Sequence, residues 1–531
     1  MPRRRGARPL DASADLHLTA VARGGALNFV GVVAAAVFGF GFVVVVTRGF
    51  PSTQVGLFFE AVAVFNLSMS VAVWGADVGL VRTIPRFRVL GREQHIRAVV
   101  GIASSTVFWF SLSIAAALYL FAPQLSALLT KGAGGANVEP LIRASAPFLP
   151  IAAVYAVLLA ATRGLGKMGP TNAIDRIGRA GLQSVFALLV ASAGMGTVAL
   201  ILGWAVPYAI GFAVAAIWAV SSIRRAMASV EPQPARSADR AALFAEFWRF
   251  ALPRGLAGVF AVTVLWLDTL LIGALRSAQE AGVYAAATRY LVFGAFASQA
   301  VILAIAPKMS ELLTRHDMDT ARHVYRATTA WAMVIGWPVY LMLAIFAPAL
   351  LSILGPGYVQ AQDALTILAL TMLVASGVGP VDIVLLMGGK STWNLLNTVA
   401  AVVLNIILNV LLIPRLGITG AAIAWSVSIL ANNLAPLIQV RMFLGLHPVG
   451  RETITACATG LLAFGLIPLI VRAWLAPDLR GFSVAMVLGG VVYVAGLWRF
   501  RRILSLDRLF ELRARGSILP AQTAGGPSSD V

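Results

Sequence analysis

Cysteine, histidine and acidic side chains are all scarce in this chain of 531 residues: one Cys, five His, and 22 Asp and Glu together. The lone Cys457 lies in an apolar run, which excludes a disulfide framework and a cysteine metal site. His17, His95, His316, His323 and His447 make no pair at ligand spacing, so no metal centre is expected, and nothing implies a cofactor. Charged residues of both signs make up only 12% of the chain, against roughly 25% in soluble proteins, which leaves no room for a large soluble domain. No HExxH, no G-x-S-x-G and no outward-facing carboxylate pair is present, so neither hydrolysis nor glycosyl transfer has its residues.

What fills the chain instead is apolar, at 59%. Continuous apolar runs predict transmembrane helices near 25–47, 55–80, 98–121, 141–162, 177–193, 197–222, 255–275, 282–307, 325–347, 363–388, 394–413, 419–443, 453–474 and 481–498. Their lack of alternation excludes an outer-membrane β-barrel. The first run follows Arg3, Arg4, Arg5 and Arg8 but is too long for a signal peptide. The expected fold is therefore an all-α polytopic membrane protein of about fourteen helices.

The net charge of +19 is distributed by topology. Under this layout 33 of the 41 Lys and Arg fall in segments on the N-terminal side, which puts both termini in the cytoplasm of a bacterial inner membrane. The fifth span is the shortest and contains Arg179 and Gln183; removing it alone would invert every later loop, so it is kept. Basic residues lie between apolar segments rather than with aromatics on a soluble face, so no nucleic acid is expected as a partner; anionic membrane lipids are. The tail segment 499–515 alternates basic and apolar residues at helical spacing and is expected on the inner leaflet.

Self-comparison shows an internal repeat. Ser52-x-Gln-Val-Gly56-Leu-Phe58 matches Ser277-x-Gln-Glu-Ala-Gly282-Val-Tyr284 at an offset near 226, and Pro85-Arg86 matches Pro307-Lys308 at 222. Gly166-Lys167 pairs with Gly389-Lys390, and Gly194 with Gly417, both at 223. A six-helix unit has even parity, so its two copies share orientation about an axis along the membrane normal. The expected organisation is a tail (1–23), an N-lobe (24–223), a cytoplasmic linker (224–248), a C-lobe (249–444), two extra helices (445–499) and a basic tail (500–531). Prolines at 147, 150, 207, 380 and 436 fall in the fourth and sixth span of each lobe, either as tolerated kinks or as moving joints.

Two nucleotide-like motifs fail on context. Gly164-x-Gly166-x-x-Gly169 follows a membrane helix instead of a strand, and Gly389-Lys390-Ser391 lacks the first glycine of a P-loop. Charges inside the membrane remain, each costing roughly 2.5–3.5 kcal/mol at a helix centre. Asp268 and Arg289 each lie about seven residues, or roughly 10 Å, below the outer surface, on adjacent spans. They either form a structural ion pair, or Arg289 faces a cavity and is tuned by Asp268. Arg48 and Arg143 stand at outer helix ends, where snorkelling to headgroups competes with a cavity role; Glu60 could neutralise either. Toward the cytoplasm, Arg254 is a further cavity candidate, and Asp77 and Asp382, with Glu60, are candidates for ion coupling or gating. Asn405, Asn409, Asn432 and Asn433 are expected to form interhelical hydrogen bonds.

Thr47-Arg48-x-x-Pro51-x-x-x-x-Gly56-Leu-Phe58, Gly75-Ala-Asp77-Val-Gly79-Leu-Val-Arg82, Leu267-Asp268-Thr-Leu-Leu-Ile-Gly273 and Glu280-Ala-Gly282-Val-Tyr284-Ala-Ala-Ala-Thr-Arg289 together resemble the Wzx-type polysaccharide-biosynthesis flippases. These belong to the multidrug/oligosaccharidyl-lipid/polysaccharide exporter superfamily, with MurJ and MATE proteins as cousins. The resemblance covers about residues 24–444 and implies a MATE-like fold and a flippase, not an enzyme. The cargo it implies is an undecaprenyl-pyrophosphate-linked oligosaccharide moved from inner to outer leaflet. It further implies a polysaccharide polymerase and glycosyltransferases as partners, and a cationic cavity in which Arg289 is the position carried over first. Only Arg23 and Arg48 flank the first helix, which departs from the MurJ pattern and favours a surface-polysaccharide unit over a peptidoglycan precursor. An ion-coupled exporter of organic cations and a lipid II flippase are the alternatives.

Overall fold

The computed structural model describes residues 31–130, 137–227, 237–294 and 309–504. Among these residues every regular element is helical. We number the spanning helices α1 (Gly31–Gly49), α2 (Ser52–Val89), α3 (Glu93–Leu120), α4 (Glu139–Gly164), α5 (171–192), α6 (Thr197–Ala226) and α7 (Ser237–Leu275). There follow α8 (278–294, as far as described), α9 (Met318–Ile345), α10 (Pro356–Met387), α11 (391–416), α12 (418–444), α13 (Arg451–Trp474) and α14 (Leu479–Arg499). The described part of each of the fourteen expected spans falls on one of them. α11 and α12 run on as one 54-residue stretch whose only non-helical residue is Gly417 (φ 56°, ψ −135°). Many helix faces present apolar side chains outward, as with Val487, Val491, Val494 and Trp498 on α14, which is the arrangement lipid requires.

The repeat is visible in the backbone. Gly166 and Gly389 both take a positive φ (79° and 77°) at the ends of α4 and α10. Each is followed by a lysine whose N–H returns to a carbonyl five residues back, Lys167 to Thr162 (2.9 Å) and Lys390 to Leu385 (3.2 Å). This is a helix stop that a side chain at the glycine would strain. Gly194 and Gly417 also both take a positive φ, 64° and 56°. The anchor at Pro307-Lys308 lies outside the described residues.

Matched segments also meet. Gly56 of α2 packs directly on the Ala278 backbone of α8, and a Cβ added to Gly282 would lie 2.6 Å from the Gly56 nitrogen and 2.9 Å from the Ser52 carbonyl. Residues equivalent under a two-fold axis touch one another only where that axis passes, so the two six-helix lobes are joined there. At the same end, Arg48 of α1 donates from Nε and Nη2 to the carbonyls of Ile353 and Ser352 (2.9 and 2.8 Å). At the opposite, basic end, Gly75 lies against Ala251 and Gly255 of α7, while Arg86 and Arg92 pair with Glu246 (3.3 and 3.4 Å). The amphipathic end of the expected linker is thus the helical start of α7.

Three helices are broken: α2 at Trp74–Gly75, α8 at Arg289–Tyr290 and α10 at Gly379–Pro380. Pro147 lies in a 3-10 turn of α4 and Pro150 in the first turn of the α-helix that resumes after it, whereas Pro207 and Pro436 sit inside continuous helix.

A cavity between the lobes as candidate functional site

Two adjoining cavities share Trp266, Arg289 and Val292 as a common wall; the first is lined by C-lobe residues alone and the second by residues of both lobes. The C-lobe chamber, about 560 Å³, is lined among others by Asp268, Tyr284, Thr288, Ser376, Asp382, Trp425, Asn432 and Asn433. The N-lobe chamber, about 300 Å³, is lined among others by Phe40, Phe58, Phe59, Asn66, Arg179, Gln183, Trp204 and Tyr208.

Arg289 owes its position to the break in α8. The Arg289 and Tyr290 amides bond back three residues, to Ala286 (3.3 Å) and Ala287 (3.2 Å), and close the first segment, Ala278–Thr288, in a tight turn. The guanidinium therefore stands at a helix C-terminus, where the peptide dipoles favour a cation. It lies 4.5 Å from the Trp266 ring centroid and 5.7 Å from that of Phe59, and has no carboxylate or hydrogen-bond partner among the described residues. Stacking on desolvated aromatics returns up to about 2 kcal/mol. That offsets only part of the cost of a charge at membrane depth, so the site holds a cation with unused binding capacity.

Asp268 does not form the ion pair with Arg289. It is 3% exposed; Asn409 Nδ2 donates to its Oδ1 (2.7 Å) and the Tyr284 hydroxyl to its Oδ2 (3.1 Å). Asn405, one turn before Asn409, lies beside the same carboxylate with its own amide unsatisfied. The two residues are at similar depth, but Asp268 turns toward α11, not toward Arg289. Of the other asparagines expected to bridge helices, Asn433 bonds within its own helix, to Ile429.

The sequence did not mark Arg179 as a site residue. Residues 171–179 wind as a π-helix that passes into α-helix at Ala180. Asp175 and Gln183 thereby flank Arg179 at four residues on either side. Arg179 Nε donates to Asp175 Oδ1 (2.7 Å) and Nη1 to Gln183 Oε1 (3.1 Å), and the guanidinium lies 4.9 Å from the Tyr208 ring centroid. Tyr155 closes the set by donating to Asp175 Oδ1 (3.2 Å). The signal was present: a charge inside a span, with an amide four residues on.

The remaining candidates are spread over the bundle. Arg48 is the tie to the Ser352–Ile353 carbonyls, and Arg143 pairs with Glu139 (2.6 Å) against Tyr119; neither lines the cavity. Arg254 is exposed and also lies outside it. Glu60 neutralises neither arginine; it is fully buried against Gly273 of α7, with no hydrogen bond to either oxygen. Asp77 occupies the first turn after the α2 break, where a carboxylate favours the helix N-terminus. Asp382 lines the C-lobe chamber, in the first turn after Pro380. Arg23 lies outside the described residues, and the part of α1 lining the cavity is apolar from Ala35 to Val43.

A two-lobed bundle whose repeat-related helices meet beside a cavity is also the fold of solved transporters. One titled "Lipid II flippase MurJ, inward closed conformation" superposes with a TM-score of 0.69 at 12% identity, covering 90% of this chain and 99% of that one. An inward-facing multidrug-resistance MATE transporter gives 0.62 at 15% identity, over 77% and 94%. The chain itself belongs to the polysaccharide biosynthesis protein family, whose model matches residues 59–363. Among curated proteins, a "probable low-salt glycan biosynthesis flippase", Agl15 of Haloferax volcanii, is 25% identical over 272 residues. That alignment takes in 49% of this chain and 54% of the relative, so about half of each is matched.

Proposed function

We propose that this protein is a flippase that carries an undecaprenyl-pyrophosphate-linked oligosaccharide, a unit of a surface polysaccharide, from the inner to the outer leaflet by alternating access. The observation that carries this reading is Arg289: an arginine without a counter-charge among the described residues, at a helix break, on the wall shared by both chambers. Guanidinium forks match phosphate oxygens bidentately, and exclusion of water strengthens the contact. The isoprenoid stays in lipid while the headgroup enters between the lobes. Asn432, Asn433, Thr288 and Trp425 offer the sugar hydrogen bonds and an aromatic face. With the basic end in the cytoplasm, the joined end at Gly56, Gly282 and Arg48 is the outer one, and the cavity loads from inside. Of the acidic residues, Asp268 and Asp382 line the chamber and are placed to couple a proton or monovalent cation to the cargo; Glu60 and Asp77 are not.

The test is translocation of a fluorescent lipid-linked oligosaccharide in proteoliposomes. Arg289→Ala abolishes transport at near-normal expression, and Arg289→Lys retains part of it; full activity of the alanine variant contradicts the reading. A second reading, export of organic cations, rests on the carboxylates Asp268 and Asp382 in the C-lobe chamber. Expression in a pump-deficient host separates the two, since a flippase confers no drug tolerance.

A further inference from the structure

The two chambers differ in charge. Among the described residues, the C-lobe chamber carries one guanidinium and two carboxylates on its wall, Arg289 against Asp268 and Asp382. The N-lobe chamber carries two guanidiniums, Arg179 and Arg289, and no carboxylate. An anion of two or more charges entering this space is repelled from the first chamber and drawn to the second.

Arg179 is also built as a ligand. Asp175 takes Nε and Gln183 takes Nη1, while Nη2, with two N–H donors, has no partner among the described residues. Asp175 is not itself part of the cavity wall and is held from its other side by Tyr155. Nη1 also reaches the Tyr208 hydroxyl (3.5 Å), so carboxylate, amide and phenol fix Nε and Nη1 and leave Nη2 for a ligand. Gln183 is anchored in turn by its own Nε2, which donates to the Trp204 carbonyl (2.9 Å). The planar fork is thus oriented before anything binds, which limits the entropy lost on binding.

We infer that Arg179 and Arg289, contributed by opposite lobes, bind the two phosphates of a lipid diphosphate together, and that this pair makes the protein prefer a polyprenyl diphosphate over a polyprenyl monophosphate. The inference rests on the reading of Arg289 given above and adds a second residue and a headgroup specificity to it. Arg289, which has no hydrogen-bond or carboxylate partner among the described residues, takes whichever phosphate a ligand carries. Arg179 is engaged only when a second phosphate is present. Because the two arginines belong to different lobes, a diphosphate also links the lobes, and a monophosphate does not.

Equilibrium binding of undecaprenyl diphosphate and undecaprenyl monophosphate to the purified protein in nanodiscs tests it. The wild type is expected to bind the diphosphate about tenfold or more tightly than the monophosphate. Arg179→Gln, which keeps a donor for Asp175, is expected to weaken diphosphate binding by about tenfold and monophosphate binding by less than about twofold. Arg179→Lys keeps the charge without the fork and falls between, and it replaces the glutamine variant should that fail to fold. Arg289→Ala is expected to weaken both lipids. Equal loss of both lipids in Arg179→Gln, or loss of neither, overturns the inference while leaving Arg289 in place. Undiminished binding of both lipids by Arg289→Ala overturns the functional reading itself.

Discussion

Arg179 and Arg289 line the same cavity, yet the N-lobe gives its arginine a carboxylate, an amide and a phenol ring, whereas the C-lobe gives Arg289 two aromatic faces and a helix C-terminus. The first arrangement fixes its arginine before a ligand arrives: a guanidinium 2.7 Å from a carboxylate is oriented and partly neutralised, with Nη2 left for a ligand. The second is incomplete, because aromatic quadrupoles attract a cation without supplying hydrogen-bond acceptors. The contrast teaches that a charge inside the membrane is not by itself a sign of function. What marks Arg289 is the mismatch between its capacity for partners and the partners it has.

Breaking the contrast at Arg289 has the largest expected effect. Arg289→Ala removes a bidentate, charge-assisted contact worth roughly 1.5–3 kcal/mol per bond, so transport falls by about a hundredfold or more in the proteoliposome assay. Next comes the joint between the lobes. Gly56→Val places side-chain atoms on the Ala278 backbone, where no flexible group can give way, and the lobes cannot close at that joint. Transport falls by about tenfold or more, measured in the same assay, while diphosphate binding to the inward-open cavity persists.

The acidic residues sharpen the comparison further. Asp175→Asn leaves Arg179 without its counter-charge and makes the N-lobe wall resemble the C-lobe wall. Undecaprenyl diphosphate then binds more tightly, by a fewfold, and is released more slowly, as dissociation kinetics would show. The smallest effect belongs to Glu60→Gln. Neither carboxylate oxygen makes a hydrogen bond, so the isosteric amide gives up no partner and removes a buried ionisable group. The melting temperature stays the same or rises by a few degrees.

The fold was legible because lipid leaves a chain few options. Continuous apolar runs, segregated basic loops and four anchors near one offset, three of them bearing glycine, define helices, parity and a two-lobed repeat. The positive φ shared by Gly166 and Gly389 shows why both copies of that anchor are glycine. The site was only partly legible. Counting residues from a helix end gives depth but not the direction a side chain faces, so Asp268 was set opposite Arg289 when it turns toward Asn409 instead. The same blindness brought Arg48, Arg143 and Arg254 into the candidate cavity, although the first two are held at helix ends by carbonyls or a neighbouring glutamate. Arg179 was overlooked for a different reason. It counted as a blemish on a short span, whereas the π-helical turn of 171–179 and its flanking partners make it part of the wall. The break at Arg289–Tyr290 had no proline or glycine to announce it.

The most direct measurement of the central claim is thiol accessibility at position 289. With Cys457→Ser as background, Arg289→Cys is treated with a membrane-impermeant, positively charged thiol reagent, with and without undecaprenyl diphosphate. An Arg289 that faces a water-filled, phosphate-binding cavity predicts rapid labelling that restores part of the lipid's binding, and slower labelling when the lipid is bound first. A thiol that stays unlabelled, or labels equally fast with and without the diphosphate, contradicts the account.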